Sequence, residues 1–412
     1  MAKQEIITSL DLGSSQVICL VGSREEDKVK IIGASKVSCR GLKGGVVVNI
    51  EETVDAITKV IEEGEKSANT DIRSLYVAIR GGHIESFNHR GAINISRSDK
   101  EITAEDVATV IEAAKAVQVS ADREIIHTLA QDFSIDRQAG VNNPVGMEGG
   151  HLGVFVHIVT ASTSHLNNIY KCINRAGFTV EDVVLGVLAV GEVVVTPEEK
   201  ELGALLIDIG GDTINLAIYL KGSVHYTKEL PLGSEAITRD LAYGLRTSGT
   251  VAREIKEKYG VALLGYLESK EKENEEVRYL SVDGRSERSV SRRTVCEIIE
   301  PRVEEIFSLV NEQVQNSGFA EEIPAGVILT GGGSLLKGIS YAAEESLGLP
   351  ARLGLPQEIT SNLAEITHDP TYATVCGLLK YTFSEQVGRS LTKYRKKTTL
   401  AKKFRRWVDE FF

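Results

Sequence analysis

The chain has 412 residues and a net charge of −11, with 42% hydrophobic and 25% charged residues, the balance of a soluble globular protein of roughly two to four compact units. Its five cysteines (Cys19, Cys39, Cys172, Cys296 and Cys376) are scattered and form no CxxC pair, which argues against a disulfide framework or zinc site and for a reducing compartment. No apolar run approaches the ~18 residues of a bilayer span, MAKQEIITSLDLG enters a strand rather than a signal peptide, and outside the tail no extended basic face suits nucleic acid.

In chain order, residues 6–10 read as a strand running into Asp11-Leu12-Gly13-Ser14-Ser15, and a second strand from Gln16 leaves the turn. A strand over 29–32 precedes a helix with Val54, Ile57 and Ile61 on one face. Residues 75–79 form a buried-type strand that stops at Arg80-Gly81-Gly82. From about 84 to 161 the texture changes. A strand near 91–95 is followed by a helix starting at Thr103, where Thr103 and Asp106 make an N-cap arrangement and Val107, Val110, Ile111 and Ala114 recur at helical spacing. Short strands over 125–129, 132–135 and 154–160, with a turn-rich stretch at 138–146, complete what reads as a small α+β insertion. A helix carrying Leu166, Ile169, Tyr170 and Ile173 is stopped by Gly177. The apolar stretch 183–195, which contains Glu192, includes a second helix broken at Thr196-Pro197.

The next stretch organises the rest. Residues 204–208 enter the turn Ile209-Gly210-Gly211-Asp212-Thr213, and 214–219 leave it as a second apolar strand. Free N–H groups in such a turn form a concave anion site, and glycine allows a phosphate to approach the backbone. One such hairpin is common as plain turn chemistry. Here the pattern strand, Asp-x-Gly, hydroxyl, strand occurs twice, with Asp208 lying 197 residues after Asp11. A third glycine turn, Thr330-Gly331-Gly332-Gly333-Ser334, follows the strand 326–329 and leads into a helical run from Leu335.

These three turns, in this order, resemble the phosphate and adenosine motifs of the actin–Hsp70–hexokinase superfamily. The resemblance implies an α/β, actin-like (ribonuclease H-like), two-lobed ATPase fold that binds ATP and Mg²⁺. It assigns nucleotide contacts to Asp11, Gly13, Ser14, Ser15, Asp208, Gly210, Gly211, Asp212, Thr213, Gly331, Gly332 and Gly333. Asp11 and Asp208 would hold Mg²⁺ through water. The loop containing Gly233, which enters a helix, and Lys256 on the helix over 253–259 would border the ribose and base. Asp212 stands where the motif usually carries a third glycine. It either assists the metal or weakens triphosphate binding, and left-handed backbone would suit it less well than glycine.

Residues 268–281 are densely charged and read as a solvated edge. Residues 286–302 gather Arg288, Arg292, Arg293 and Arg302, which could pair with Glu297, Glu300 and Glu304 at helical spacing. Residues 369–381 read as a helix whose small residues Ala373 and Gly377 permit a close helix crossing, either as an inter-lobe connection or as plain packing. After a polar stretch, 400–412 places Leu400, Phe404, Trp407, Val408 and Phe411 on one face with Phe412 at its edge, and Lys402, Lys403, Arg405 and Arg406 on the others. That is the pattern of an interfacial helix, too short to span a bilayer. From Arg389 onward nine Lys/Arg oppose two Asp/Glu, a net of +7 that leaves −18 for the remainder. An acidic body needs such a basic tail to stay on anionic lipid.

With the insertion and the tail, the whole chain is similar to the FtsA family of bacterial cell-division proteins. That resemblance implies subdomain 1A over 1–83, 163–195 and 366–386, subdomain 1C over 84–162, subdomain 2A over 196–230 and 306–365, and subdomain 2B over 231–305. A linker would cover 387–399 and a membrane-targeting helix 400–412. It further implies a filament that uses subdomain 1C, and FtsZ tethered through its C-terminal peptide at the arginine cluster. Later divisome proteins would be recruited at the septum, on the cytoplasmic face of the inner membrane. No catalytic base or water-orienting residue is recognisable, so ATP reads as a conformational ligand with slow hydrolysis at most. The alternatives are an actin-fold ATPase or small-molecule kinase whose tail binds a protein, and a PilM-like pilus-assembly adaptor.

Overall fold

The computed structural model describes residues 6–25, 28–267, 269–361 and 363–383. The tail residues Leu400 to Phe412, and the membrane expectation built on them, lie outside the described residues. Among those described, no helix is long and apolar enough to cross a membrane.

Two lobes are built on the same plan. The chain opens with β1 (Ile6–Leu12), β2 (Gln16–Glu25) and β3 (Lys28–Ser38), then a small ribbon of β4 (Leu42–Lys43) and β5 (Val46–Val47). The helix Ile50–Ala68 follows. Its Ile57 and Ile61, four apart and therefore on one face, are fully buried, worth roughly 1.5–3 kcal/mol each. After it, β6 (Ser74–Ile79) joins β1 in parallel. With β11 (Thr179–Leu185) and β19 (Ile359–Ser361), this sheet has the order β11-β6-β1-β2-β3-β19. The second lobe repeats the motif. β12 (Ala204–Ile209) and β13 (Ile214–Leu220) form an antiparallel hairpin, β14 (Ser223–Leu230) extends it, and β17 (Val327–Thr330) adds in parallel beside β12. β18 (Ala351–Leu353) completes the order β14-β13-β12-β17-β18. Each phosphate-type turn is thus the tip of a hairpin whose first strand lies mid-sheet. Ligands of α/β sheets gather at such carboxyl ends.

The insertion folds around its own small core. β7 (Ile84–Asn94), β8 (Arg123–Ile135), β9 (Gln138–Val141) and β10 (His151–Ser162) make a sheet of order β7-β10-β8-β9, covered by the helix Ala104–Ala114. Thr103 and Asp106 form a reciprocal capping box at the start of that helix, and Ile102, Val110, Ala114, Leu152 and Val156 are fully buried. The two strands expected at 125–129 and 132–135 are one 13-residue strand, kept continuous by a register shift opposite β10.

Three further elements differ from expectation. Thr196-Pro197 starts a short capped helix, Pro197–Leu202, instead of only ending the previous one. The third glycine turn passes through a 3-10 turn, and its α-helix begins at Ile339. The charged 268–281 region contains β15 (Glu276–Leu280), paired with β16 (Glu287–Ser291), and Val277 and Tyr279 face inward.

The small-residue crossing is present. The helix Ala373–Phe383 packs on the helix Gly186–Val194, and a Cβ on Gly377 would lie 1.9 Å from the Ala189 carbonyl oxygen. The insertion also leans on the second lobe. Ser86 Oγ donates to the Thr227 carbonyl at 2.8 Å, Asn88 Nδ2 to the His225 carbonyl at 3.1 Å, and Gln131 Nε2 to the Val224 carbonyl at 3.0 Å. His157, 1% exposed, lies 2.7 Å from Asn88 Oδ1 through Nδ1 and 2.9 Å from the Thr227 hydroxyl through Nε2. Burial pushes its pKa down to about 3, so the ring is neutral, with Nδ1 donating and Nε2 accepting.

Candidate functional site

The two hairpin tips face each other. In the first, the Gly13 N–H donates to the Gln16 carbonyl at 3.1 Å; in the second, the Gly210 N–H donates to the Thr213 carbonyl at 2.9 Å. Those bonds close the turns and leave the N–H groups of Ser14, Ser15, Gly211 and Asp212 without a backbone acceptor among the described residues. A Cβ on Gly211 would stand 2.7 Å from Ser15 Oγ, which puts the two tips almost in contact. Behind the second tip, the Ser234 and Glu235 N–H groups donate to the Gly210 and Gly211 carbonyls, which brings Gly233 against the hairpin. Gly331, at φ +80, turns the third loop over Asp208, with its Cβ position 2.3 Å from Oδ1. Gly333 sits equally close to Ile209, while a Cβ on Gly332 would meet only Thr371 Cγ2, at an ordinary 3.5 Å. Lys256 Nζ reaches the Ser234 carbonyl at 3.1 Å and Thr238 Oγ1 at 2.9 Å, with its pKa lowered by burial. The residues assigned to phosphate and ribose are therefore brought to one cleft.

Asp212 does not adopt a left-handed φ, so the strain expected of it is absent. Its carboxylate accepts from the Gly44 N–H across the cleft at 3.4 Å and lies 3.8 Å from Arg239.

The floor of the cleft holds residues that sequence reasoning missed. Arg80, just past β6, is 8% exposed and donates through Nη2 to Asp11 Oδ1 at 2.5 Å and to Thr374 Oγ1 at 3.2 Å. Glu229 on β14 accepts from the Gly81 N–H at 3.0 Å, joining the floors of the two lobes. Burial lifts the Glu229 carboxyl to about 8, against the opposing pull of the Gly81 N–H and Arg80. Burial also raises Asp11 although Arg80 pairs with it, because desolvation outweighs the pairing and Asp208 adds to it. Burial works against the Arg80 charge, but Asp11 and Asp208, joined by Glu229 once it ionises, hold it charged.

The donor set fits an anion with several phosphates: free amides at two facing tips, hydroxyls at Ser14, Ser15 and Thr213, and turns without room for a Cβ. A divalent cation finds less. One oxygen of Asp11 is engaged by Arg80, and Asp208 Oδ2 accepts from Asn215 Nδ2 at 2.8 Å. Among the described residues no group of three or more His, Cys, Asp or Glu could hold a metal. A metal would therefore be held through water and phosphate oxygens.

The arginine cluster is largely engaged. Arg292 pairs with Glu275 and donates to the Tyr259 carbonyl, Arg293 pairs with Glu273 and Glu297, and Arg302 pairs with Asp240 and Glu305. Arg288 is exposed on β16. Arg292 opens the helix Arg292–Ser317 and Arg302 lies about 15 Å further along it, so Arg292, Arg293 and Arg302 form a line of paired charges rather than one patch.

Comparison with known proteins follows the same outline. The family model "Cell division protein FtsA" matches residues 205–377, and that for the SHS2 domain inserted in FTSA matches 81–160. The chain is 39% identical to cell division protein FtsA of Pseudomonas aeruginosa, covering 99% of this chain and 98% of that one. It is 35% identical to the Escherichia coli K12 protein, covering 92% and 90%. Among solved structures, a chain of the PilM-PilN type IV pilus biogenesis complex superposes with TM-score 0.65 at 16% identity, covering 92% of this chain and 98% of that one. MreB5 of Spiroplasma citri bound to ADP gives 0.57 at 13% identity, covering 94% and 98%. The actin-like fold and the near-full-length identity together place this chain in the FtsA family of cell-division proteins.

Proposed function

We propose that this chain is an ATP-binding, actin-like cell-division protein that polymerises on the cytoplasmic face of the inner membrane and tethers FtsZ at the septum. The observation that carries the nucleotide part is the pair of facing hairpin tips with unpaired N–H groups. Ser14, Ser15, Gly211, Asp212 and Thr213 would hold the phosphates. Gly233, Lys256 and Gly331–Gly333 would shape the ribose and base end. Mg²⁺, when bound, would neutralise phosphate charge, with Asp11 and Asp208 reaching it through water. The chain's own groups bind and orient, and they exclude water by bringing the lobes together; ATP thus acts as a conformational ligand with slow turnover at most.

In this reading, subdomain 1C (84–162) contributes to the filament, and subdomain 2B (231–305) receives the acidic FtsZ tail near Arg288, Arg292, Arg293 and Arg302. There the tail must displace internal partners such as Asp240. The basic, aromatic residues 400–412 bind anionic lipid, and later divisome proteins are recruited from the assembled polymer. Flotation of purified FtsZ with liposomes of anionic lipid, in ATP, tests the assignment. FtsZ rising only with the full-length chain supports it, and Trp407→Glu abolishes the effect. Should the chain rise alone while FtsZ stays behind, the partner is wrong. If neither rises, the ATPase or kinase reading, or a PilM-like adaptor, takes its place.

A further inference from the structure

We propose that Arg80 discriminates triphosphate from diphosphate by offering its guanidinium to the terminal phosphate. This rests on the nucleotide reading of the cleft. Arg80 stands at the carboxyl end of β6, next to β1, where Asp11 and Ala78 are register partners. It is the buried cation at the base of both hairpins. Nη1 makes no hydrogen bond among the described residues and lies 3.9 Å from where a Cβ on Gly210 would be. Nε is buried with no acceptor. A buried donor left unpaired costs stability, so such a group in a folded protein calls for an explanation. An acceptor that arrives with a ligand supplies one.

The surroundings restrict what that acceptor is. Asp11 occupies Nη2, and Thr374 shares it. The ribose and base end of the cleft is built by Gly233, Lys256 and the third glycine turn, all on the second lobe. Arg80 belongs to the first lobe and faces the space beneath the tips, so a phosphate chain entering from the base end would present its last group there. Planar guanidinium matches phosphate oxygens in two-point geometry, and arginine keeps its charge when buried. A diphosphate stops short and leaves Arg80 with Asp11 alone. Asp11 is then a positioning residue: it holds the guanidinium in place until a third phosphate competes for it.

Affinities of the full-length protein for ATP and for ADP, measured by calorimetry in excess Mg²⁺, test the assignment. Wild type should prefer ATP. In Arg80→Met/Asp11→Asn, which removes both buried charges together and so leaves neither orphaned, the ATP-to-ADP preference should fall roughly ten- to a hundredfold, the range for one charged hydrogen-bonding partner. Arg80→Lys, which keeps the charge but not the fork, should retain part of it. Circular dichroism checks that each variant is folded. An unchanged ATP-to-ADP ratio in the double variant, or in Arg80→Lys and Arg80→Met alike if the double variant does not fold, overturns the role of Arg80. Failure of wild type to bind either nucleotide overturns the nucleotide reading itself.

Discussion

Glu229 should make the stability of this protein fall as pH rises, and Glu229→Gln should abolish that fall. The carboxyl is buried between β14 and the Gly81 N–H, facing Arg80 and Asp208, and burial lifts it from its ordinary 4.5 to about 8. Between those values the folded chain holds a proton that the unfolded chain has lost, so raising the pH through the window costs stability. At about 1.36 kcal/mol per pH unit the ceiling is near 5 kcal/mol, and water penetration and relaxation reduce this to roughly 2 kcal/mol. Glutamine is isosteric with the protonated acid and still accepts from Gly81. Wild type and variant should therefore melt together near pH 5. By pH 8.5 the variant should melt higher by roughly 4–8 °C for a lobe of this size. Thermal melts by circular dichroism at half-unit pH steps read the difference directly. A gap that does not change with pH would show that Glu229 is ionised throughout, and the reasoning about the cleft floor would fail.

Three further outcomes follow from the same structure. Gly377→Ala should lower stability by about 1–3 kcal/mol or more, because its Cβ would press on the Ala189 carbonyl, whereas Gly265→Ala, with nothing within 4 Å, should be close to neutral in the same melt. Protection factors of the β7 and β14 amides, taken relative to the intrinsic exchange rate at each pH, should fall as pH drops from 6.5 toward 4. The unfolded chain protonates His157 there while the folded chain, with the ring held at about 3, does not; His157→Gln should blunt the effect. Asp212→Gly should strengthen ATP binding about fivefold by removing a carboxylate from the hairpin tip, worth roughly 1 kcal/mol after screening. A loss of affinity would mean that Asp212 helps to hold a cation.

What could be read in the sequence was local. Both hairpins were legible because apolar strands flank an Asp-x-Gly turn within a dozen residues. The insertion's helix was legible from Thr103, Asp106 and a regular apolar face. Arg80 and Glu229 were not. Arg80 ends an apolar strand before two glycines and reads as an exposed terminus, because its partner Asp11 is 69 residues away. Glu229 sits in SVHYTKEL, which reads as a half-solvated strand, and it is buried only because the other lobe closes over it. The signal available was a charge at the carboxyl end of a strand, and the side-by-side placement of that strand and a phosphate turn comes only from the tertiary fold. The arginines divide in the same way. The Arg293–Glu297 pair at helical spacing was foreseen, whereas Asp240 and Glu275 come from distant segments.

The contact between the insertion and β14 also bears on solubility. β14 is the outermost strand of its sheet, and an open edge of that kind is a template on which a second chain can add a strand. Side chains of Ser86, Asn88 and Gln131 already occupy the carbonyls of Thr227, His225 and Val224. Adding a foreign strand there would first require lifting the insertion away. Deleting residues 84–162 would therefore do more than remove a subdomain: it would bare a sticky margin, and the shortened chain should aggregate through β14.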